Sequence, residues 1–458
     1  MKFKENYQII QFNNYKQYLD QGSIETLSHV FNSEGCKQLI NESCWSLQAQ
    51  TLYNPLKTLL IFIKQVLSSD KSCKNAVCSV IVNELSKSGV LVGNSTGAYV
   101  KARQRLPGTV VHELVKLVGT TLVKQSPDEW KPYGRDLKVF DGTTITMPDT
   151  EANVAQFSKH SNQNKNVGFP LARLVAVMSL TTGSVIDYAI GPCKGKGTGE
   201  SSLLRGILDC IQTNDIVLGD RYYPHFFLMC DLKRKGVDGV FRGAAQRCYD
   251  FRQGKRLGKY DHIAAWKKPI KPEWMSTEEY KSYPDTLDIR EFKEEGVIYV
   301  TTFLDSKKYT KKELRLLYKR RWEVETNLNF IKTVMAMNRL TCKTPAMIEK
   351  EIGIHFLAYN MIRNLMVKAS VKHKLHPTQI SFKGTIQLLN QFTLLFHNVK
   401  KQQKIILYEY LLDYIAKNKV SNRPGRVEPR AVRQRPKSFP VLKQSRKSEQ
   451  EKLLLMNC

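Results

Sequence analysis

No stretch of this chain is apolar for long enough to cross a bilayer. The run from Leu59 to Leu67 is broken by Lys64 and Gln65 and falls short of the ~20 apolar residues a spanning helix needs. The opening MKFKENYQII has no apolar core of the signal-peptide kind, so a cytoplasmic protein without a membrane partner is expected. Paired cysteines are missing as well. The ten cysteines are scattered with no Cys-x2-Cys pair and no nearby His-x3-His, which argues against a zinc site or a disulfide scaffold and predicts reduced, mostly buried thiols. Acid is scarce: 42 Asp and Glu stand against 71 Lys and Arg, a net charge of +29. Such an excess implies a polyanionic partner, nucleic acid or an anionic membrane surface, with nucleic acid the favoured reading.

The 458 residues suffice for two or three domains. Residues 1–125 carry short amphipathic segments, with Tyr53–Leu67, Lys74–Ser88, Thr96–Leu106 and Thr109–Lys124 the helix candidates. They predict a helical N-terminal domain. Within it, Ser95 offers a cap to a basic helix bearing Lys101, Arg103 and Arg105 that closes at Pro107, a candidate DNA-reading element or simply a solvated face.

From Asp136 the pattern turns to β. Leu137–Asp141 predicts a strand, and Leu171–Ser179 with Ser184–Ile190 a hairpin around Thr181-Thr-Gly183. A helix over Leu203–Ile211, capped by Thr198 or Ser201, leads to a buried strand Ile216–Leu218 that delivers Gly219-Asp220-Arg221 at its end. Acids at strand ends of α/β sheets face the ligand crevice. A helix over Tyr222–Lys235 follows. Residues 237–302 are β-leaning and strongly charged, and are expected to form an insertion domain.

Tyr309 to Lys332 contains neither Gly nor Pro, and Thr310 followed by Glu313 makes a capping-box start. One helix of at least five turns is predicted, with Trp322, Leu328 and Ile331 spreading apolar bulk around it. Tyr318, Arg321, Glu325 and Lys332 would stay within roughly 60° of one another on its surface. A charged stripe is usually a solvated face, but a carboxylate among cations on a packed helix invites a functional reading. Beyond it, helical spacing continues through Ile348–Val367 and Ile380–Leu412, where a dimer contact could form. The Pro-interrupted, Arg-rich tail with Arg423, Arg426, Arg430 and Arg433 reads as extended, either along phosphates or in solvent.

The spacing Tyr318-x2-Arg321-x3-Glu325-x6-Lys332 resembles the signature of the Insertion Sequence 4 family of DDE transposases, and Ala-Tyr-x2-Ala-Arg-x-Arg-Leu-Pro and Asn-Arg-Pro-Gly-Arg-x-Glu-Pro-Arg resemble its N- and C-terminal segments. The resemblance runs from about Ser95 to Leu442. It implies that Glu325 is the third metal-binding acid, with Asp141 on the first strand and Asp220 after the fourth as the other two. The element order fits an α/β fold with a ribonuclease-H-like core, residues 126–236 and 303–370, interrupted by the β-rich insertion 237–302. A helical C-terminal region, 371–420, and a basic tail, 421–458, complete the expected organisation.

Hard carboxylate donors without His or Cys suit Mg²⁺ or Mn²⁺, and a pair of such ions serves in-line displacement at phosphorus. The resemblance further implies that Tyr318, Arg321 and Lys332 contact DNA, that Arg221 and Glu200 lie in family segments, and that a synapsed homodimer cuts the element's terminal inverted repeats and joins them to target DNA, on the nucleoid of a bacterial cell. For Glu200 a first-turn helix charge is an equal reading. In parts of the family an aromatic of the insertion stacks on a flipped base during hairpin formation. Trp266 and Trp274 are candidates by location, with ordinary packing the alternative. Two rival functions remain: a nuclease that does not join strands, and a non-catalytic DNA-binding descendant of a transposase.

Overall fold

The computed structural model describes residues 31, 34–42, 52–89, 91–159, 167–397, 399–420 and 444–456. Arg423, Arg426, Arg430 and Arg433 of the tail lie outside the described residues. The chain divides into two compact units, one of residues 1–124, 145–172 and 329–458, the other of residues 125–144 and 173–328.

The described strands form one nine-stranded sheet, β1 (Leu137–Thr146), β2 (Leu171–Ser179), β3 (Val185–Pro192), β4 (Ile216–Gly219), β5 (Asp238–Arg242), β6 (Lys255–Gly258), β7 (Asp261–Lys267), β8 (Thr286–Glu294) and β9 (Val297–Thr301), ordered β3-β2-β1-β4-β5-β9-β8-β7-β6. β1 and β4 pair in parallel with Leu137 opposite Ile216, and β4 pairs in parallel with β5, Ile216 opposite Asp238. Every residue of β4 is buried, which is why it reads as a short unbroken apolar run rather than an alternating one. Gly219 is required where it stands: a Cβ there would lie 2.6 Å from Phe140 and 2.9 Å from Phe241, rings that fill the space beside the strand.

Ion pairs pin these parallel strands at their N-terminal ends, one buried and one partly so. Lys138 reaches Asp215 at 2.5 Å and the carbonyl of Cys210, and Arg135 reaches Asp238 at 2.7 Å. Ser179 and Thr181 donate to Asp136 at 2.7 and 2.6 Å, fastening the hairpin turn to the start of β1. Asp141 follows the part of β1 that pairs with β4, and Asp220 follows the last residue of β4. β1 continues through Thr146, so Asp141 lies within the strand instead of closing it.

The stretch expected as a separate insertion continues this same sheet. β5 pairs with β4 on one side and with β9 on the other, and β9, β8, β7 and β6 follow as an antiparallel meander. Its interior is held by charge: Arg290, fully buried, forks onto Asp261 at 2.8 and 2.7 Å and donates to the Tyr309 carbonyl. Glu291 accepts from Trp266 at 2.7 Å, pairs with His262 at 2.9 Å and meets Arg247 at 3.3 Å.

The expected single helix over Tyr309–Lys332 is three pieces: helix Lys311–Lys319, helix Trp322–Asn329 and a π-turn Phe330–Val334. The capping box of Thr310 and Glu313 is present. The break falls at Arg320, whose guanidinium donates to the Leu180 carbonyl at 2.9 Å and to Glu323, and the backbone tightens to i→i+3 bonds from Leu317 to Val324. Trp322 is 62% exposed, contrary to its expected packing, while Leu328 and Ile331 are buried as predicted.

In the first unit, helix Pro345–His373 is buried along most of its length and packs on Pro55–Leu67, Gly108–Lys124, Phe382–His397 and Lys401–Lys417. Glu351, almost fully buried, accepts from the backbone of Thr341 and Cys342 and from the Thr341 hydroxyl. The segment expected as one stretch, Ile380–Leu412, is two helices, Phe382–His397 and Lys401–Lys417. Among the described cysteines none is bridged, and Cys36, Cys210, Cys230 and Cys342 are buried. Among the described residues no helix is long and apolar enough to cross a membrane.

Candidate active site

The three acids come from three elements of one unit. Asp141 lies on β1, Asp220 follows the last residue of β4, and Glu325 is in the first turn of helix Trp322–Asn329. Asp141 accepts from the backbone N–H of Gly142 at 2.9 Å, and Asp220 accepts from Tyr222 N–H at 2.8 Å, closing the turn after β4. Arg321 ties the set together: its guanidinium bonds Glu325 at 2.9 Å and stands 4.0 Å from Asp141.

Burial raises the Asp141 carboxyl to about 6, against the opposing pull of the Gly142 N–H and Arg321, and the charges of Asp220 and Glu200 add to the rise. Asp141 is therefore close enough to both acids to feel them. Beside them Tyr223 is almost fully buried, edge-on to Phe140. Its phenol is raised by burial first, then by Glu200, Asp141 and Asp220. Asp220 and Glu200 thus act on Asp141 electrostatically, and Arg321 is in contact with Asp141 and Glu325.

That balance is the test of fit for a divalent ion. Unit charges roughly 4 Å apart repel by about 4 kcal/mol at an effective dielectric near 20, and one guanidinium does not neutralise both of the acids it contacts. The donors are all hard oxygens, the set that suits Mg²⁺ or Mn²⁺. Among the described residues no three His, Cys, Asp or Glu side chains are grouped so that they could hold a metal ion.

The other expected residues fall in different places. Tyr318 is buried, edge-on to Tyr299 at 5.3 Å, and burial pushes its phenol up to about 12. Lys332 lies on the π-turn, in the other compact unit. Arg221 is exposed, with its guanidinium over the Tyr222 ring. On helix Gly97–Arg105, Lys101 and Arg105 are exposed. Arg103 is not: it is buried against Phe62 and Tyr99 and donates to Gln65 at 3.1 Å, so the structure uses this arginine inside the domain and not on a DNA-facing surface.

Trp266 is closed to a base. It is 2% exposed, its indole N–H is spent on Glu291, and Arg247 lies 3.8 Å from its ring centre. Trp274 is half-exposed with Arg205 over its ring at 3.6 Å. Trp322, adjoining Arg321, and Tyr222, two residues after Asp220, are exposed aromatics that neighbour these residues in the chain. Their exposure is set by the helix break and by the turn after β4, neither of which composition marks.

The sequence pattern that defines the family "Transposase DDE domain" matches residues 132–361, half of the chain, and the chain belongs to this family of DDE transposases. It is an enzyme of DNA cleavage and transfer. It is 25% identical, over 376 residues, to the transposase InsG for insertion sequence element IS4 of Escherichia coli strain K12, a match covering 79% of this chain and 82% of that one. A piggyBac transposase, solved by cryo-electron microscopy in a synaptic complex with hairpin DNA, shares 10% identity at a TM-score of 0.42, covering 91% of this chain and 87% of that one.

Proposed function

We propose that this transposase moves its own insertion sequence by cutting and pasting: it cleaves phosphodiester bonds at the terminal inverted repeats, frees the 3′ ends and joins them to target DNA. The observation that carries the reading is the Arg321 guanidinium reaching Asp141 and Glu325 together, with Asp220 and Glu200 acting on Asp141 from the same region. Supporting a ribonuclease-H-like core is the order β3-β2-β1-β4-β5, with β1, β4 and β5 parallel and an acid directly after β4.

In this reading Asp141, Asp220 and Glu325 would hold divalent ions, Mg²⁺ or Mn²⁺ and two in number, which would supply activation of the attacking oxygen and stabilisation of the leaving one for in-line displacement at phosphorus. The protein's own groups orient the DNA. Arg321 offers a planar fork that matches two phosphate oxygens, and Lys332 a point charge. Tyr318, held against Tyr299, anchors the end of helix Lys311–Lys319, and its carbonyl accepts from the Arg321 N–H at 2.9 Å in the turn that carries Arg321. Arg221, Lys101 and Arg105 are exposed cations suited to phosphates, as are Arg426, Arg430 and Arg433 of the tail. Each contributes affinity and register but no base readout. The helical N-terminal region reads the inverted repeats, a homodimer holds two ends together, and the work is done on the nucleoid.

The reading is tested with duplexes bearing the element's ends, a target plasmid and Mg²⁺. Joined products that carry the end sequence covalently in the target are expected. Nicked ends that never become joined would instead define a nuclease of the same fold.

A further inference from the structure

We propose that Lys71 is a positioning residue for the reaction: it fastens the turn that ends the signature segment, and through that turn sets Lys332 for the cleaved DNA end. The proposal rests on the reading above that Lys332 meets DNA phosphate. It adds a residue of the helical N-terminal region that lies outside every motif of the sequence.

Lys71 stands in the turn between helix Pro55–Leu67 and helix Cys73–Ser88. Its ammonium donates to the Ala336 carbonyl at 2.6 Å and to the Met335 carbonyl at 3.2 Å, and lies 3.4 Å from Nε2 of His355. Met335 is the residue that closes the π-turn Phe330–Val334, which carries Lys332. Ala336 follows with φ 53°, a left-handed conformation that a residue with a Cβ seldom adopts. Carbonyls at a helix end have no donor from a following turn, and an ammonium both supplies one and meets the negative end of the helix dipole. From Ala336 the chain folds back on the segment: the Met337 N–H donates to the Ile331 carbonyl at 3.2 Å and the Asn338 N–H to the Lys332 carbonyl at 3.1 Å. The backbone of Lys332 is thus tied to a turn whose strained residue is held by Lys71.

Three acceptors match the three donors of an ammonium. His355 is fully buried, and burial and the Lys71 charge keep its imidazole well below the usual range, so it is neutral and Nε2 is free to accept. Burial lowers Lys71 itself to about 8, with Glu351 opposing the fall and Arg339 adding to it. A lysine that served only as surface charge would keep its ammonium in water; this one gives up solvation to reach two backbone carbonyls. Once deprotonated it has two protons for three acceptors and no charge for the helix end.

The test is gel-shift binding of the full-length protein, without metal, to a duplex that ends at the cleaved 3′ end of the element. Lys71→Met should weaken binding about 10-fold at pH 7 with an unchanged circular dichroism spectrum. Lys332→Ala should weaken it too, and the double variant should bind no worse than Lys332→Ala, because the first change acts through the second residue. Ala336→Gly, which takes the left-handed turn without strain, should restore part of the affinity to Lys71→Met. Wild-type binding should fall as pH rises through about 8, while Lys71→Arg, charged throughout, should show no such fall. Wild-type affinity in Lys71→Met, or losses that add in the double variant, would overturn the role of Lys71. Should Lys71→Met alter the spectrum, the pH profile decides: a fall in Lys71→Arg equal to that of wild type overturns it. Wild-type affinity in Lys332→Ala would instead remove the reading of Lys332, and the proposal with it.

Discussion

Replacing Asp141 by Asn should make the metal-free protein more stable, although it removes a residue of the active centre. In the folded chain the Asp141 carboxyl is raised from 3.8 to about 6, so ionising it costs more in the folded state than in the unfolded one. The sign follows from proton counting. Below about pH 4 both states hold the proton and the residue contributes no pH dependence. Between about 4 and 6 the folded state keeps a proton that the unfolded state has released, and stability falls as pH rises. Above 6 the penalty is complete. Two units correspond to about 3 kcal/mol, and with the side chain 21% exposed solvent screening brings this to roughly 2 kcal/mol. Asn retains an oxygen for the Gly142 N–H and carries no charge. The variant should therefore gain roughly 2 kcal/mol at pH 8 and nothing near pH 4. Urea unfolding followed by tryptophan fluorescence reads this directly, because Trp130, Trp266, Trp274 and Trp322 all belong to the unit that holds Asp141. Millimolar Mg²⁺ should then stabilise the wild type and leave Asp141→Asn unmoved. A variant no more stable than wild type at pH 8 without metal would refute the charge balance drawn for this centre.

The exposed Trp322 beside Arg321 should matter to end processing more than the enclosed Trp266: Trp322→Ala is expected to lower product formation after the first nick, base stacking being worth about 1–3 kcal/mol, and equal processing by Trp322→Ala and wild type would contradict this. Asp261→Ala leaves Arg290 buried and unpaired and should cost about 3–5 kcal/mol, seen as a lowered urea midpoint; an unchanged midpoint would show that the pair is dispensable. Deleting residues 421–458 should flatten the dependence of log binding constant on log salt, and an unaltered slope in a gel-shift series would take the tail off DNA.

Where local chemistry decides structure, the sequence is readable. The capping box at Thr310 and Glu313 forms as its spacing predicts, and the apolar run of β4 and the hairpin of β2 and β3 appear at their expected places. Asp220 could be singled out because it follows directly on β4, a local pattern, whereas Glu325 and the set of three acids were named from the resemblance of the Tyr318-to-Lys332 spacing to a family signature. What could not be read depends on partners distant in the chain. The break at Arg320 has no Gly or Pro to announce it and comes from a hydrogen bond to the Leu180 carbonyl. Arg103 looks like any surface cation until Phe62, Tyr99 and Gln65 enclose it. The stretch 237–302 has the composition of a separate domain, yet β5 completes the parallel sheet because its residues align with Ile216 to Gly219. Glu200 is the sharpest case, since the space its carboxylate occupies is marked only by Gly142, far away in sequence.

The central claim is that Asp141, Asp220 and Glu325 form one catalytic centre separable from DNA binding. Its most direct test is Glu325→Gln, assayed with the element's own ends in Mg²⁺ for nicking and joining and, in parallel, for gel-shift binding. The account predicts that both reactions are lost while specific end binding is kept or slightly strengthened, as carboxylate and phosphate no longer repel. Joining at the wild-type level in Glu325→Gln would contradict it.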